Sequence, residues 1–212
     1  MALAPPPDPA TLDPLVVEIA SGTPLVRVHA TTRSADAFNP GLGAPSRFAP
    51  LHRPDGTPIP TLYAATTVAG VLSESVFHDV PYRGRGKRIL VARLTGLAMS
   101  TLIVTEPIRL AMLAGLGLRS LGVRRRDLIE TGPAVYAQTA AWALALHGSP
   151  AAPAGLLWTS RQDDTASAFL LFGDRILASA LLVASETVPL DSGPGLALVD
   201  DAATLAAVTV VR

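Results

Sequence analysis

Cysteine is absent from the 212-residue chain, which excludes disulfide bonds and thiolate metal sites. Neither sign of charge is in excess, because 17 basic residues balance 17 acidic ones. A dedicated nucleic-acid-binding protein usually carries a basic surplus, so we expect no direct DNA binding by this chain. The four histidines, at positions 29, 52, 78 and 147, lack the spacing of metal ligands, and we expect no metal site.

Long hydrophobic runs are also missing, although 49% of the residues are hydrophobic and the mean hydropathy is +0.39. A membrane-spanning helix needs about 20 apolar residues. The nearest candidate, residues 176–184, has about half that length and contains Ser179. No basic segment followed by an apolar one marks a secretory signal near Met1. We therefore expect a cytoplasmic protein that does not enter the membrane.

The length of the chain suits one domain. Five prolines lie between positions 4 and 14, and we predict an irregular proline-rich leader over residues 1–20, followed by a single domain over residues 21–212. Residues 33–60 are rich in Gly, Pro, Asn and Ser and predict a long loop. Loops of this length are uncommon unless they are functional or disordered.

Hydrophobic periodicity predicts an α+β fold. Strands are predicted at 25–29, 61–65, 89–94, 155–160, 166–172, 177–183 and 206–211. Helices are predicted at 68–78, 106–114 and 134–147. The strands cluster towards the two ends of the chain, without the regular alternation of a doubly wound sheet. This order favours a mixed or sandwich-like sheet with a cleft.

Familiar nucleotide-binding and hydrolase motifs are absent, including the P-loop, GxGxxG, HExxH and GxSxG. Gly41-Leu42-Gly43 lacks a third glycine and does not follow a strong strand, so it does not indicate a Rossmann fold. The chain instead places polar residues inside apolar segments. They lie at 25–29, 39–48, 62–74, 155–162 and 171–175.

Taken one at a time, these polar residues also fit ordinary structural roles. Arg27 fits a solvated strand residue, and Glu74 fits a solvated helix residue. Tyr63 fits a core aromatic residue with a satisfied hydroxyl, and Ser160 fits a strand end. The residue pattern alone leaves these alternatives open.

In their order along the chain, the segments resemble the RES domain, a family named for an arginine, a glutamate and a serine. The resemblance covers most of the chain from about residue 24 to about residue 185 and is closest at 74–80 and 156–164. By position, Arg27 and Arg47 match the cleft arginines of the family. Tyr63, Glu74 and Ser160 match its aromatic residue, glutamate and serine. The resemblance implies an ADP-ribosyltransferase-like α+β fold with a mixed or split sheet and flanking helices.

The resemblance also implies an activity and partners. RES proteins commonly are toxins of type II toxin–antitoxin systems, and characterised members degrade NAD⁺. For this chain the resemblance implies an NAD⁺ glycohydrolase or phosphorylase with NAD⁺ as substrate and no cofactor. It further implies a cognate helix-turn-helix antitoxin and a homodimer within a larger complex. Two alternatives remain: an ADP-ribosyltransferase that modifies a cellular protein, and a non-catalytic binding subunit that uses the basic segments 83–88 and 124–126.

These residue types suit cleavage of the nicotinamide–ribose bond, which develops positive charge on the ribose. Arg27 and Arg47 are expected to bind the anionic pyrophosphate. Glu74 is expected to hold the ribose hydroxyls and stabilise the developing charge. Tyr63 is expected to stack on nicotinamide, and Ser160 to bond a ribose or phosphate oxygen. The catalytic prediction is thus Glu74, Arg27 and Tyr63. The substrate-binding prediction is Arg27, Arg47, Tyr63 and Ser160. Arg27, Arg47 and Glu74 are expected to meet around one shared cavity.

Overall fold

The computed structural model describes residues 3–84 and 86–212 and is built around one large sheet. The strands in these residues are β1 (Val16–Ile19), β2 (Pro24–Ala30), β3 (Leu51–His52), β4 (Pro58–Ile59), β5 (Thr61–Ala65), β6 (Arg88–Leu90), β7 (Leu97–Val104), β8 (Ile108–Met112), β9 (Gly155–Thr159), β10 (Ser167–Phe172), β11 (Leu181–Val183), β12 (Val188–Pro189) and β13 (Thr209–Val211). The α-helices are α1 (Val68–Glu74), α2 (Gly115–Ser120), α3 (Arg125–Leu128), α4 (Tyr136–His147) and α5 (Gly193–Leu205).

The large sheet is mixed. Its order is β1-β8-β9-β10-β5-β2-β7-β11, with β12 also paired to β7. Neighbouring strands are antiparallel except for β8 and β9, which are parallel. None of the described helices is long and apolar enough to cross a membrane.

A split between β2 and β5 divides the large sheet. The two strands are paired only at Val26 and Ala65, whereas β2 pairs with β7 along its whole length. Residues 27–30 and 61–64 therefore diverge from each other. The long loop enters beside this split, where the backbone groups of Asn39 and Thr61 bond each other in both directions, at 2.7 and 2.9 Å.

Helix α4 covers one face of the sheet and forms the main core with it. Trp142 and Leu146 of α4 are buried in the same cluster as Leu156, Trp158 and Leu170 of β9 and β10. A separate cluster joins α1 and α5 to the β2–β7 part of the sheet, through Leu72, Val199 and Met99 among others. The two clusters flank the split, so α1 and α4 both border the cleft.

Several predicted elements are confirmed: the strands at 25–29, 61–65, 155–160 and 166–172, and the helix at 134–147. The helix predicted at 68–78 ends earlier, at Glu74. The run at 177–183 begins as a 3-10 turn, and only Leu181–Val183 is a strand. The run at 89–94 likewise becomes a 3-10 turn after Leu90.

The prediction of a helix at 106–114 is wrong, because this segment contains strand β8. Ile108 and Leu110 are buried while Arg109 between them is exposed, which is the two-residue period of a strand. Pairing with β1 on one side and β9 on the other fixes the extended conformation.

The prediction of an irregular segment over residues 1–20 is wrong at Val16–Ile19, which form β1 at the edge of the large sheet. Upstream of this strand the chain also contacts the core, because Trp142 Nε1 donates a 2.8 Å hydrogen bond to the carbonyl of Ala4. Strand β7 and helix α5 were not predicted. Ser192 before the helix and Pro194 in its first turn were available signals for α5.

Substitution of Gly155 tests the close packing of β9 in the sheet. A Cβ atom there would lie 2.3 Å from the carbonyl oxygen of Leu170 and 2.8 Å from Leu110 Cδ2. We expect Gly155→Ala to lower the free energy of unfolding by about 2 kcal/mol. Gly132→Ala is the matched control, since nothing lies within 4 Å of its added carbon, and it should stay within about 0.5 kcal/mol of the wild type. Urea unfolding measures both, and equal stabilities would contradict the packing.

Candidate active site

Glu74 is the last residue of α1 and points into the cleft region between α1 and the sheet. The helix is capped at its start by the Thr67 hydroxyl, which accepts from the Gly70 N–H at 2.9 Å. Gly70 allows close contact with the sheet, because a Cβ there would lie 2.4 Å from Ala166 Cβ. The short, closely packed helix thereby fixes the position of its terminal carboxylate.

Three donors hold the Glu74 carboxylate. Its Oε1 accepts from the Ser160 hydroxyl at 2.7 Å and from the Arg161 backbone N–H at 2.6 Å. Its Oε2 accepts from Arg47 Nη1 at 2.9 Å. Burial on its own would raise the pKa of Glu74, but the charge of Arg47 and the hydrogen bonds from Arg161 and Ser160 outweigh it and hold the pKa below its ordinary value. The side chain, 11% exposed, is therefore an ionised carboxylate at neutral pH.

Arg47 brings the long loop to this carboxylate. Its side chain is 3% exposed, and its backbone carbonyl accepts a hydrogen bond from the Thr139 hydroxyl of α4. Its Nε and Nη2 are buried without a hydrogen-bond partner among the described residues. Buried donors without partners are costly, so these two atoms are donors still available to a ligand or water after local rearrangement.

Tyr63 lies on β5 with its hydroxyl tied to the same loop. The hydroxyl accepts from the Phe48 N–H at 3.1 Å and lies 3.0 Å from the Ser46 hydroxyl. The ring packs edge to face against Trp158, with centroids 6.2 Å apart. Burial raises the pKa of Tyr63 to about 12, so the phenol is neutral at physiological pH.

Two adjoining cavities open beside these residues. The larger, of about 660 Å³, is lined by Arg47, Tyr63 and Glu74 among others. The smaller, of about 240 Å³, contains Arg27 and Arg33 in its wall. Four residues line both cavities, so the two adjoin at the split in the sheet: Val28, Ala44, Ser46 and Tyr63.

Arg27 does not line the larger cavity, which corrects the expectation that Arg27, Arg47 and Glu74 share one cavity. Side chains alternate along β2, so Arg27 projects from the opposite face to Val26 and Val28. It lines only the smaller cavity, which Val28 also reaches at the split in the sheet. The residue is 6% exposed, so the alternative of a solvated strand residue is wrong. Its Nη1 donates to the Ala35 carbonyl at 2.5 Å, and burial lowers its pKa to about 10.

Ser160 is fully buried and does not line either cavity. Its hydroxyl is used to hold Glu74, so its position in the structure favours orientation of the carboxylate over direct contact with a ligand. Its contact with a ribose or phosphate oxygen stays a prediction. The alternative that Glu74 is a solvated helix residue is wrong, because its carboxylate is paired and largely buried.

Sequence reasoning missed a hydrogen-bonded chain in the larger cavity. The Tyr136 hydroxyl lies 2.7 Å from His78 Nε2, and His78 Nδ1 lies 2.8 Å from Asp79 Oδ1. Trp158 also lines the cavity, and its buried Nε1 has no hydrogen-bond partner among the described residues. Among those residues no group of three or more histidines and carboxylates is arranged to hold a metal ion.

The split mixed sheet, the buried ion pair and the adjoining cavities define an α+β protein with a cleft. The chain belongs to the RES domain family, whose model matches residues 24–191. The predicted α+β fold, with a mixed sheet and flanking helices, is confirmed.

A solved structure shares this fold. A chain in the crystal structure of the M. tuberculosis MbcT–MbcA toxin–antitoxin complex matches with a TM-score of 0.56 and 15% sequence identity. The match covers 82% of this chain and 85% of that chain. A search of curated proteins found no match.

The Arg47–Glu74 pair predicts a pH-dependent stability. Because the folded-state pKa of Glu74 is depressed, its stabilisation is present above the ordinary carboxyl range and is lost as the pH falls through the folded-state pKa. We expect Glu74→Gln to lower the free energy of unfolding by about 3 kcal/mol at pH 7, because it leaves Arg47 buried without its counter-ion. The difference from wild type should narrow as the pH falls below about 4.

Urea unfolding at a series of pH values measures this difference. Glu106→Gln is the matched control, since Glu106 is exposed. If the difference in unfolding free energy between Glu74→Gln and the wild type stays constant from pH 7 to pH 3, the ionised pair does not stabilise the fold.

Proposed function

We propose that this protein is the toxin of a type II toxin–antitoxin system and that it degrades NAD⁺ by cleaving the nicotinamide–ribose bond. The observation that carries the proposal is the ionised, buried Glu74 in the wall of a 660 Å³ cavity that adjoins a second, arginine-lined cavity. Cavities of this size bury small-molecule ligands. An elongated ligand with a cationic end and an anionic middle suits both cavities at once.

Glu74 provides the negative charge that the reaction needs. The leaving group is already cationic before cleavage, so no acid has to protonate it. Oε1 is occupied by two donors, but Oε2 takes only one donor among the described residues and can accept another from a ribose hydroxyl. A fixed carboxylate beside the ribose stabilises the positive charge that develops there as the bond breaks.

The two arginines have different roles in this proposal. Arg47 forms a salt bridge with Glu74 and orients that carboxylate. Arg27 bonds a neutral carbonyl and is buried at the smaller cavity, whose lining residues include no carboxylate. The charge of Asp36 acts on Arg27, but the two form no salt bridge, and Arg33 adds a second positive charge to the cavity wall. A buried charge that is only partly compensated is costly, so the smaller cavity favours an anionic group such as the pyrophosphate.

Tyr63 lies where the two cavities meet and offers its ring as a wall for nicotinamide. Its hydroxyl is committed to Ser46 and Phe48, and its pKa of about 12 makes it a poor general base. Stacking is therefore the role that remains for it.

The proposed partners follow from the family and from the toxin–antitoxin complex whose chain shares this fold. We propose a helix-turn-helix antitoxin that covers the cleft, and a homodimer of this chain within a larger complex. Consumption of NAD⁺ implies action in the cytoplasm.

The enzymatic proposal is tested on purified protein freed of any antitoxin. We expect it to consume NAD⁺ and release nicotinamide, and Glu74→Gln to lower the rate at least about 100-fold because the charge at the ribose is lost. Chromatography of the products with and without phosphate separates hydrolysis from phosphorolysis.

Glu106→Gln serves as the activity control and should match the wild type. Folded wild-type protein that leaves NAD⁺ intact under both conditions would refute the proposal. Labelled ADP-ribose transferred to a cellular protein, without free ADP-ribose, would favour the transferase alternative.

Arg27 is tested separately by its effect on substrate binding. Loss of a charge-assisted contact to phosphate in Arg27→Gln should raise the KM for NAD⁺ by roughly tenfold to a hundredfold, with a smaller effect on kcat. Arg93→Gln removes an exposed arginine and should leave the KM unchanged. An unaltered KM in Arg27→Gln would exclude Arg27 as the residue that binds the pyrophosphate.

A further inference from the structure

The three consecutive arginines at 124–126 are not distinguished by the sequence, but they have different surroundings in the structure. Arg124 Nε bonds Asp127 Oδ2 at 2.6 Å, and Arg126 Nε lies 3.7 Å from Asp127 Oδ1. Arg125 instead extends to the turn after β9, where its Nη2 donates to the Ser160 carbonyl at 2.8 Å. Of the three, Arg125 is the one that forms a hydrogen bond with the turn whose Ser160 and Arg161 donate to the Glu74 carboxylate.

The contact of Arg125 falls on a peptide group that also bonds Glu74. The carbonyl of Ser160 and the N–H of Arg161 belong to the same peptide unit. The carbonyl accepts from Arg125, and the N–H donates to Glu74 Oε1 at 2.6 Å. The peptide dipole thus lies between a cation and a carboxylate, an arrangement in which each hydrogen bond strengthens the other.

Two carboxylates orient the Arg125 guanidinium. Its Nε donates to Glu130 Oε1 at 2.9 Å, and its Nη2 also lies 3.2 Å from Asp164 Oδ1. Arg125 is 30% exposed and these carboxylates are more exposed still, so the ion pairs add little stability. Their effect is to direct Nη2 at the Ser160 carbonyl.

The same turn is anchored at two other points. Arg161 Nη1 donates to the Thr131 carbonyl at 3.1 Å. Gln162 Nε2 donates to the carbonyls of Phe77 and His78 at 3.3 and 3.2 Å. These bonds hold the turn independently of Arg125, so we expect the loss of Arg125 to leave the fold intact but to let the Ser160–Arg161 peptide group rotate.

We propose that Arg125 is a positioning residue for Glu74, which it orients through the Ser160–Arg161 peptide group. It does not touch the cavity. Loss of the Arg125 side chain weakens the hydrogen bond from the Arg161 N–H to Glu74 Oε1. It also weakens the hydrogen bond from the Ser160 hydroxyl to the same oxygen.

Carboxyl ¹³C NMR titration tests this on the whole chain without any substrate, so the result does not depend on the proposed reaction. The Glu74 signal is assigned by its loss in Glu74→Gln. We expect Arg125→Met to raise the pKa of Glu74 by about one unit, because a carboxylate that loses a hydrogen bond is easier to protonate. The Arg161 amide proton should move upfield as its hydrogen bond lengthens.

Arg126→Met is the matched control, because it removes the same charge from the neighbouring residue, which is 64% exposed, without touching Ser160. It should leave both signals in place. Arg125→Lys keeps one donor for the Ser160 carbonyl and should raise the Glu74 pKa by less than Arg125→Met does. It serves as the test variant if Arg125→Met does not fold. An unchanged Glu74 pKa and Arg161 amide in both folded Arg125 variants, or an equal shift in Arg126→Met, would overturn the proposal.

Discussion

The buried pair between Arg47 and Glu74 is the interaction on which the site depends. Two charges removed from water stabilise each other only when their geometry is good and their remaining hydrogen-bonding groups are satisfied. The carboxylate meets this condition through two further donors from the turn after β9, Ser160 and Arg161. On the arginine side Nε and Nη2 have no partner among the described residues. The pair therefore joins three segments that are distant in sequence: the long loop, the end of α1 and the end of β9.

The pair also explains why a long, glycine- and proline-rich loop has a defined path. The Arg47 side chain donates to Glu74, and its backbone carbonyl accepts a hydrogen bond from Thr139. The next residue, Phe48, is fully buried. The loop therefore forms one wall of both cavities. Arg47 is paired with Glu74, whereas Arg27 forms no salt bridge among the described residues and lies at the smaller cavity, so the carboxylate and the second buried arginine occupy separate parts of the cleft.

Local patterns predicted the parts of the fold that have a clear period or cap. The alternation at 25–29 and the proline before α4 gave elements that the structure confirms. The segment at 106–114 was mistaken for a helix because its extended form is set by pairing with β1 and β9, which local sequence does not show. Helix α5 was missed although Ser192 and Pro194 mark its start.

The site was less accessible to such patterns. Residue types alone left Glu74 as a solvated helix residue, and the family resemblance singled it out. No local pattern shows that Arg47 meets it, since 27 positions separate the two. The resemblance also did not show that Arg27 lines a different cavity from Arg47 and Glu74. That separation follows from the alternation of side chains along β2 and from the split between β2 and β5.

The most direct test of the central claim is a crystal structure of the Glu74→Gln variant with NAD⁺ bound. The account predicts the nicotinamide ribose against residue 74 in the larger cavity, the pyridine ring on Tyr63 and the pyrophosphate on Arg27 in the smaller cavity. Pyrophosphate bound elsewhere, or NAD⁺ outside both cavities, would contradict it.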